Sequence, residues 1–408
     1  MQTTTQQFTG KQYLMMDIAN HFGLDKEDWD VRLAWTYNHL SNLEHMLDQA
    51  DSPAQYYAAV QAWRQVEQGE PTGYAIALDA TASGMQILAC LTGDRRAAQL
   101  CNVVNVGRRV DAYTEVYQYM LAKVGQQGRV TRDMVKQAVM TSLYNSEAIP
   151  KKVFGTGPLL TQFHGTMEEE CPAVWELNKY YKAIWDSERL TYSWTLPDNF
   201  HVHVKVMDYV TEQVLFAGEH FDVVTKHHAP TAEGRSLSAN TTHSIDGMIV
   251  REIGRRCNYK PKQVVEVRFL MENPDVWNGP NYDAHHGERY ELMVDLLERY
   301  SESGYLSARI LDCIDYSTAH LAPVNAVLEL INSLPAKPFE VFSIHDCFRC
   351  PPNYGNDLRH QYRLQLHLIA KSRMLQDLLS QLLGHECHIA PLDPTLADDI
   401  LQSEYALS

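Results

Sequence analysis

Two short apolar runs that each close on an aspartate constrain this chain more than any other feature. They are Tyr74-Ala-Ile-Ala-Leu-Asp79 and, much later, Phe339-Glu-Val-Phe-Ser-Ile-His-Asp346. Each run is short enough and apolar enough for a buried strand. A carboxylate at the tip of a buried strand is costly unless it is paired or bound to a cation. Two such carboxylates brought together repel each other unless a divalent metal sits between them. Mg²⁺ takes few protein carboxylates and fills its shell with phosphates and water. Two such ions on two carboxylates can activate a 3′-hydroxyl and stabilise a leaving pyrophosphate. The plainer alternative, that each aspartate caps a following turn or helix, stays open on spacing alone.

Composition sets the limits within which those runs act. The chain has 408 residues, more than one core usually holds, so two or three structural units are expected. Apolar residues make up 45% and charged residues 21%, a globular rather than a disordered balance. No apolar run is long enough to span a bilayer. The first residues have neither a basic nor an apolar leader segment. Eight cysteines without framework spacing fit reduced thiols and a cytosolic chain. The net charge of −16 argues against a nucleic-acid binder, because phosphate contacts draw on surplus Lys and Arg. Either the chain does not bind nucleic acid, or its positive charge is local and a partner supplies more. The motifs below favour the second.

The N-terminal stretch reads as helices, one opened by Pro53, carried by Tyr56, Val60, Trp63 and Val66, and ended by Gly69 and Pro71. Residues 81–124 read as helical with an interruption at Gly107, and 125–128 as a loop. Thr131 is a plausible N-cap for a helix to about Tyr144. On that helix Arg132 and Lys136 share a face, and Tyr144 lies roughly 80° round from Lys136. Two cations and a phenol on one broad side suit a triphosphate beside base and sugar; a solvated basic stripe would look the same. Residues 158–190 read as helical, and Trp194-Thr-Leu-Pro-Asp-Asn-Phe-His-Val-His-Val-Lys-Val as a turn and a strand. Residues 258–304 are polar and read as irregular, 317–333 as helical, 347–350 as a return strand and 355–384 as helical. Cys347-x-x-Cys350, His385-Glu-Cys-His388 and Phe154-Gly-Thr-Gly157 lack the spacing of zinc or phosphate-loop sites.

Three segments taken together carry a resemblance. Asp79-Ala-Thr-Ala-Ser-Gly84-Met-Gln86 resembles motif A of the single-subunit phage and mitochondrial RNA polymerases. Arg132-x₃-Lys136-x₃-Met140-Thr141-x₂-Tyr144 resembles their motif B, and His345-Asp346-Cys-Phe348 their motif C, in the family's order. Ala19-Asn-x-Phe-Gly23-x-Asp25-Lys26, Asp111-Ala-Tyr113, His243-Ser-x-Asp246-Gly247 and the final residues 399–408 are similar to flanking family segments. The resemblance implies a helix-rich α/β fold, a right-handed palm and fingers with an antiparallel palm sheet. It implies two Mg²⁺ ions on Asp79 and Asp346 with help from the Ala80 carbonyl. Lys26, Arg132 and Lys136 would hold the triphosphate, Lys136 would protonate pyrophosphate, and Tyr144 would help select ribose. The family has a ribose-side histidine whose place here is apolar, around Ile249, so His320 is the expected substitute. Asn145 stands where the family has glycine and should still tolerate the turn.

The divisions expected are an N-terminal helical base (1–70), palm with motif A (71–106), fingers with motif B (107–190) and palm strands and helix (191–251). An insertion (252–312) and palm with motif C and a C-terminal foot (313–408) complete them. The family's promoter-binding region, thumb and hybrid-contacting motif have no counterpart before Lys26. In this the chain resembles the large catalytic subunit of heterodimeric phage RNA polymerases of the bacteriophage N4 type. That resemblance implies DNA-templated RNA synthesis from ribonucleoside triphosphates in the cytoplasm of an infected bacterium, with no membrane partner. A second subunit would supply the missing parts, and a phage single-stranded-DNA-binding factor would open the promoter. A DNA polymerase of the same superfamily and a non-catalytic assembly subunit are the competing readings. Ser83-Gly84-Met85, where DNA polymerases carry a bulky acidic block, favours RNA.

Overall fold

The computed structural model describes residues 5–124, 130–232, 234, 236–277 and 288–408. The loop expected at 125–128 and residues 278–287 of the stretch 258–304 fall outside these residues.

Helices α1 (Gly10–Ala19), α2 (Trp29–His39) and α3 (Pro53–Glu67) lead into strand β1 (Ile76–Asp79). Pro53 opens α3, and Tyr56, Val60 and Trp63 bury one face of it. After β1 come α4 (Ser83–Thr92), α5 (Arg95–Leu100), α6 (Ala112–Val124), α7 (Arg132–Ser142), α8 (Ala148–Phe154), α9 (Pro158–Glu170) and α10 (Pro172–Ala183). Two hairpins follow, β2 (Thr191–Thr195) with β3 (His201–Lys205), and β4 (Met207–Phe216) with β5 (Glu219–His228). Then come α11 (Ser236–Cys257), α12 (Pro261–Glu272), α13 (Glu288–Ser303), α14 (Val324–Asn332), β6 (Phe342–Ile344), β7 (Cys347–Cys350), α15 (Gly355–Lys371), α16 (Met374–Leu383) and α17 (Leu396–Ile400). The result is a helix-rich mixed α/β fold with small antiparallel sheets.

The sheet that matters for the site has the order β1–β7–β6, antiparallel throughout. Leu78, Ile76, Phe348 and Cys350 alternate onto its buried face, which leaves Ala77, Asp79, Cys347 and Arg349 on the other, as a period of two requires. The final residues extend the sheet on the free edge of β1. Ser408 and Asp79 exchange backbone hydrogen bonds at 2.9 and 3.2 Å, and Ala80 bridges Leu407.

Two hydrophobic cores organise the chain. The larger draws on residues from Tyr13 to Leu407 and surrounds the β1–β7–β6 sheet. The smaller is built from α12, α13, α14 and the turns between them, from Val267 to Ile331. The irregular structure expected over 258–304 is therefore corrected: α12 and α13 are regular helices. Val264, Val267, Leu270 and Met271 recur at helical spacing and pack inward, but a polar outer face dilutes the signal. This second core also runs past residue 312, and α11 crosses position 251 without a break. The strand read over 339–346 is shorter, because Phe339 is buried and stacks on Tyr354 at 4.5 Å instead of pairing. Among the described residues no helix is long and apolar enough to cross a membrane.

Candidate active site

The acidic pair is assembled by strand register. Asp79 ends β1 opposite Cys347, and Asp346 is the residue before Cys347, in the two-residue turn that joins β6 to β7. The Ala80 N–H donates to the Asp346 carbonyl at 3.1 Å, which locks the two segments together. His345, the other turn residue, has φ 56°, a position that usually falls to glycine in tight hairpins. The backbone is thus held in an unfavourable conformation next to the carboxylate.

The Asp79 side chain stays accessible from the cavity it faces, but protein crowds it from behind. That burial, with the charges of Asp346 and then Asp25, pushes its pKa up to about 6; Arg109 opposes the shift. A carboxylate held so far above its ordinary range is one that a cation would stabilise. Among the described residues no group of three or more acidic, histidine or cysteine side chains forms a metal cage. A pair of carboxylates is what Mg²⁺ uses when phosphates and water complete its shell. The bridge between Ala80 and Leu407 is bonded through Asp79 and Thr81, so it does not engage the Ala80 carbonyl.

Asp79 opens on a cavity of about 360 Å³. Lys26, Arg132 and Lys136 line it together with Ala80, Arg109, Asp111 and Tyr113. Lys26 follows a widened helical turn, Asn20–Leu24, in which Gly23 has φ 122°. A side chain at Gly23 would also meet Asp51 Oδ2 at 2.6 Å. Helix α7 presents the other cations. The Thr131 hydroxyl accepts from Met134 N at 3.3 Å and caps it, Val135, Ala138 and Val139 are buried, and Arg132 and Lys136 face the cavity. Arg132 donates through Nε to Asp111 Oδ2 at 3.0 Å and to Thr114 Oγ1 at 2.8 Å. Burial pushes the Asp111 carboxyl up, but Arg132 and Thr114 bring it net below its ordinary value. Lys136 Nζ lies 5.9 Å from the centre of the Tyr113 ring.

Tyr144 sits just past the end of α7. Its hydroxyl lies against Gly84 of motif A, where an added Cβ would be only 2.4 Å from that oxygen. Glycine there is what lets the phenol approach. Burial raises the Tyr144 pKa, with Asp246 and Asp346 adding to it. Asn145 adopts φ 62°, the left-handed conformation open to glycine and tolerated by asparagine.

His320 is placed elsewhere. It is exposed in a short turn of the second core, Ala319–Leu321, and does not line the cavity. The histidine beside Tyr144 is His243 on α11, with ring centres 4.9 Å apart. Asp246 lies one turn further along α11, its pKa pushed up to about 6 by burial and then by Asp346. The spacing of His243 and Asp246 puts both on one helix face, so the signal was present in the sequence. Arg109 and Arg349 also line the cavity; neither belongs to a pattern that would have marked it.

A family model described as DNA-dependent RNA polymerase matches residues 5–187, the stretch that supplies Lys26, Asp79, Arg132, Lys136 and Tyr144. This stretch, under half of the chain, is similar to DNA-dependent RNA polymerases. Curated relatives include mitochondrial enzymes. The mitochondrial DNA-directed RNA polymerase of Neurospora crassa is 28% identical over 163 residues, 33% of this chain and 12% of the relative. That of Schizosaccharomyces pombe is 28% identical over 162 residues, 33% of this chain and 14% of the relative. DNA-directed RNA polymerase 1, mitochondrial, of Arabidopsis thaliana is 26% identical over 318 residues, 61% of this chain and 32% of the relative. The matched stretch therefore spans under a third of each relative's own length.

Proposed function

We propose that the chain catalyses DNA-templated RNA synthesis, transferring nucleotides from ribonucleoside triphosphates to a growing strand. The observation that carries this reading is the cavity in which Asp79, beside the Asp346 turn, faces Lys26, Arg132 and Lys136. A strand-end carboxylate facing several cations suits a metal-bound triphosphate. Asp79 and Asp346 would hold two Mg²⁺ ions, which when bound supply the charge that activates a 3′-hydroxyl and offsets the leaving pyrophosphate.

The chain's own side chains do the rest. Lys26, Arg132 and Lys136 bind the triphosphate, Arg132 exchanging Asp111 for phosphate oxygens. Lys136 is the proton donor to pyrophosphate. Tyr144 and His243, which are not among the cavity's lining residues, would form the ribose side of the site. Gly84, where an acidic block would stand in a DNA polymerase, admits the Tyr144 phenol instead.

In this reading the chain is the catalytic subunit of a two-chain phage polymerase acting in the cytoplasm of an infected bacterium. A second, more basic subunit supplies the thumb and N-terminal region, which fits the net charge of −16. A phage single-stranded-DNA-binding factor gives access to the promoter. The test is extension of an RNA primer on single-stranded DNA with Mg²⁺, by the chain copurified with its partner. Ribonucleotide extension lost in Asp79→Asn and Asp346→Asn is the expected result. Preference for deoxyribonucleotides would make it a DNA polymerase. A folded complex with no extension would make it an assembly subunit.

A further inference from the structure

Arg109 lies in the loop between α5 and α6 and lines the cavity beside Asp79, Lys26, Arg132 and Lys136. Its position is fixed from several sides. Its backbone N–H donates to Asp28 Oδ1 at 2.6 Å. The next residue, Val110, is clamped by the buried Asn102 side chain, which donates to its carbonyl at 2.8 Å and accepts from its N–H at 2.7 Å. Asn102 also donates to Thr81 Oγ1 at 3.1 Å, two residues on from Asp79. Fully buried Gln86 joins Thr81 to the Cys101 and Ala406 carbonyls with bonds of 2.9 to 3.0 Å. A satisfied buried network of this kind rigidifies what it holds. It ties the motif A turn directly to the loop that presents Arg109.

The guanidinium at the end of this scaffold is under-used. Among the described residues its side chain makes one long hydrogen bond, Nε to Ser408 Oγ at 3.4 Å. Asp25, Asp111, Asp79 and Asp28 surround it electrostatically, yet among the described residues none closes on it as a salt bridge. Arg132, by contrast, is engaged by Asp111 and Thr114. A rigidly placed guanidinium with spare donors, facing a cavity, is built to grip an oxyanion with its planar fork.

We propose that Arg109 binds the triphosphate of the incoming nucleotide on the Asp79 side of the cavity, an assignment that rests on the polymerase reading above. Lys26, Arg132 and Lys136 reach the triphosphate from the helices, and Arg109 reaches it from the loop. A purely structural Arg109, serving as counter-ion to Asp25, Asp28 and Asp111, would change melting temperature and leave substrate affinity alone.

The test has two arms on the chain copurified with its partner, as wild type, Arg109→Gln and Arg109→Lys. Inorganic tripolyphosphate is titrated without metal by calorimetry, and KM for ribonucleotides is measured in primer extension. Arg109→Gln is expected to weaken tripolyphosphate binding and raise KM by about 10- to 100-fold, with a smaller fall in kcat and partial recovery in Arg109→Lys. Affinity and KM within about twofold of wild type in both variants would overturn the assignment. If Arg109→Gln does not fold, Arg109→Lys decides, since it keeps the charge and loses the fork; unchanged binding overturns the contact. Loss of tripolyphosphate binding in a chain whose wild type extends no primer supports the oxyanion contact and sinks the polymerase reading alone. A wild type that binds no tripolyphosphate sinks the contact, whatever the extension assay gives.

Discussion

The hairpin β6–β7 is short, packed on the main core through Phe348, and turns through His345 and Asp346 with a positive φ on a β-branch-free but bulky side chain. The hairpin β4–β5 is long, ten residues on each side, and turns through Ala217 and Gly218, both at positive φ, the pattern of a type I′ turn. Its strands are exposed on both faces, with Leu215 at 62% and Phe216 at 71% exposure. An isolated two-stranded ribbon is marginal in water, so β4–β5 tolerates change that β6–β7 does not. Strain is kept where the surrounding packing over-determines the backbone, and here that place is the turn carrying Asp346.

The sharpest way to test the strained side of this comparison is to change charge on the β1–β7–β6 sheet. Asp346→Asn and Asp79→Asn are expected to lower primer extension by about 10³-fold or more, if they carry the charge stabilisation assigned to them. Chelating Mg²⁺ should do the same to the wild type. Equal extension by variant and wild type would remove the metal site from this sheet.

Gly84→Ala comes next. Its Cβ would press on the Tyr144 hydroxyl, and a misplaced substrate-positioning group costs up to about 10²-fold in rate. Extension should fall toward that figure while urea unfolding barely changes. A loss of stability with intact activity would mean that Gly84 serves packing alone.

His345→Gly should stabilise the chain by about 1 kcal/mol, because glycine adopts positive φ without strain. No gain in the urea midpoint would show that the turn is not strained. The pH dependence should carry a smaller signature, from Asp246. Its folded pKa of about 6 lies above the unfolded value of about 4. Between these the folded state holds a proton that the unfolded state has lost. The contribution is therefore present below about pH 4 and lost as pH rises through about 6. Asp246→Asn should flatten that part of the metal-free stability profile, and an unchanged slope would refute it.

The smallest effect is expected on the exposed ribbon. Phe216→Ser should change the unfolding free energy by no more than about 0.5 kcal/mol. A larger loss would mean that β4–β5 is held by packing and not merely carried.

Local signals were read well where they were periodic or punctuated. Helix α7 begins at the Thr131 cap and buries the face opposite Arg132 and Lys136, as its spacing indicated. Pro53 opens α3, and the run ending at Asp79 is a strand. Where both faces of an element meet solvent, as in β4–β5, there is no alternation to read. The polar outer face of α12 and α13 hid them in the same way. Among the candidate site residues, Lys26, Arg132, Lys136 and Asp79 meet in one cavity, whereas His320 lies on the second core and His243 takes the place beside Tyr144. The motif holding His243 was visible, but which of its residues would face Tyr144 depended on how α11 packs against the end of α7.

By itself the sequence determined the chemical types in play: two strand-end carboxylates and a capped helix with cations on one face. Those follow from local rules of burial, period and capping. Only the tertiary structure decided that Asp79 pairs beside the Asp346 turn, that Ser408 closes the other edge of β1, and that an unpatterned loop delivers Arg109 to the same cavity. Each of these joins segments far apart in the chain, and such pairings are set by the register and packing of the whole fold, which no local pattern encodes.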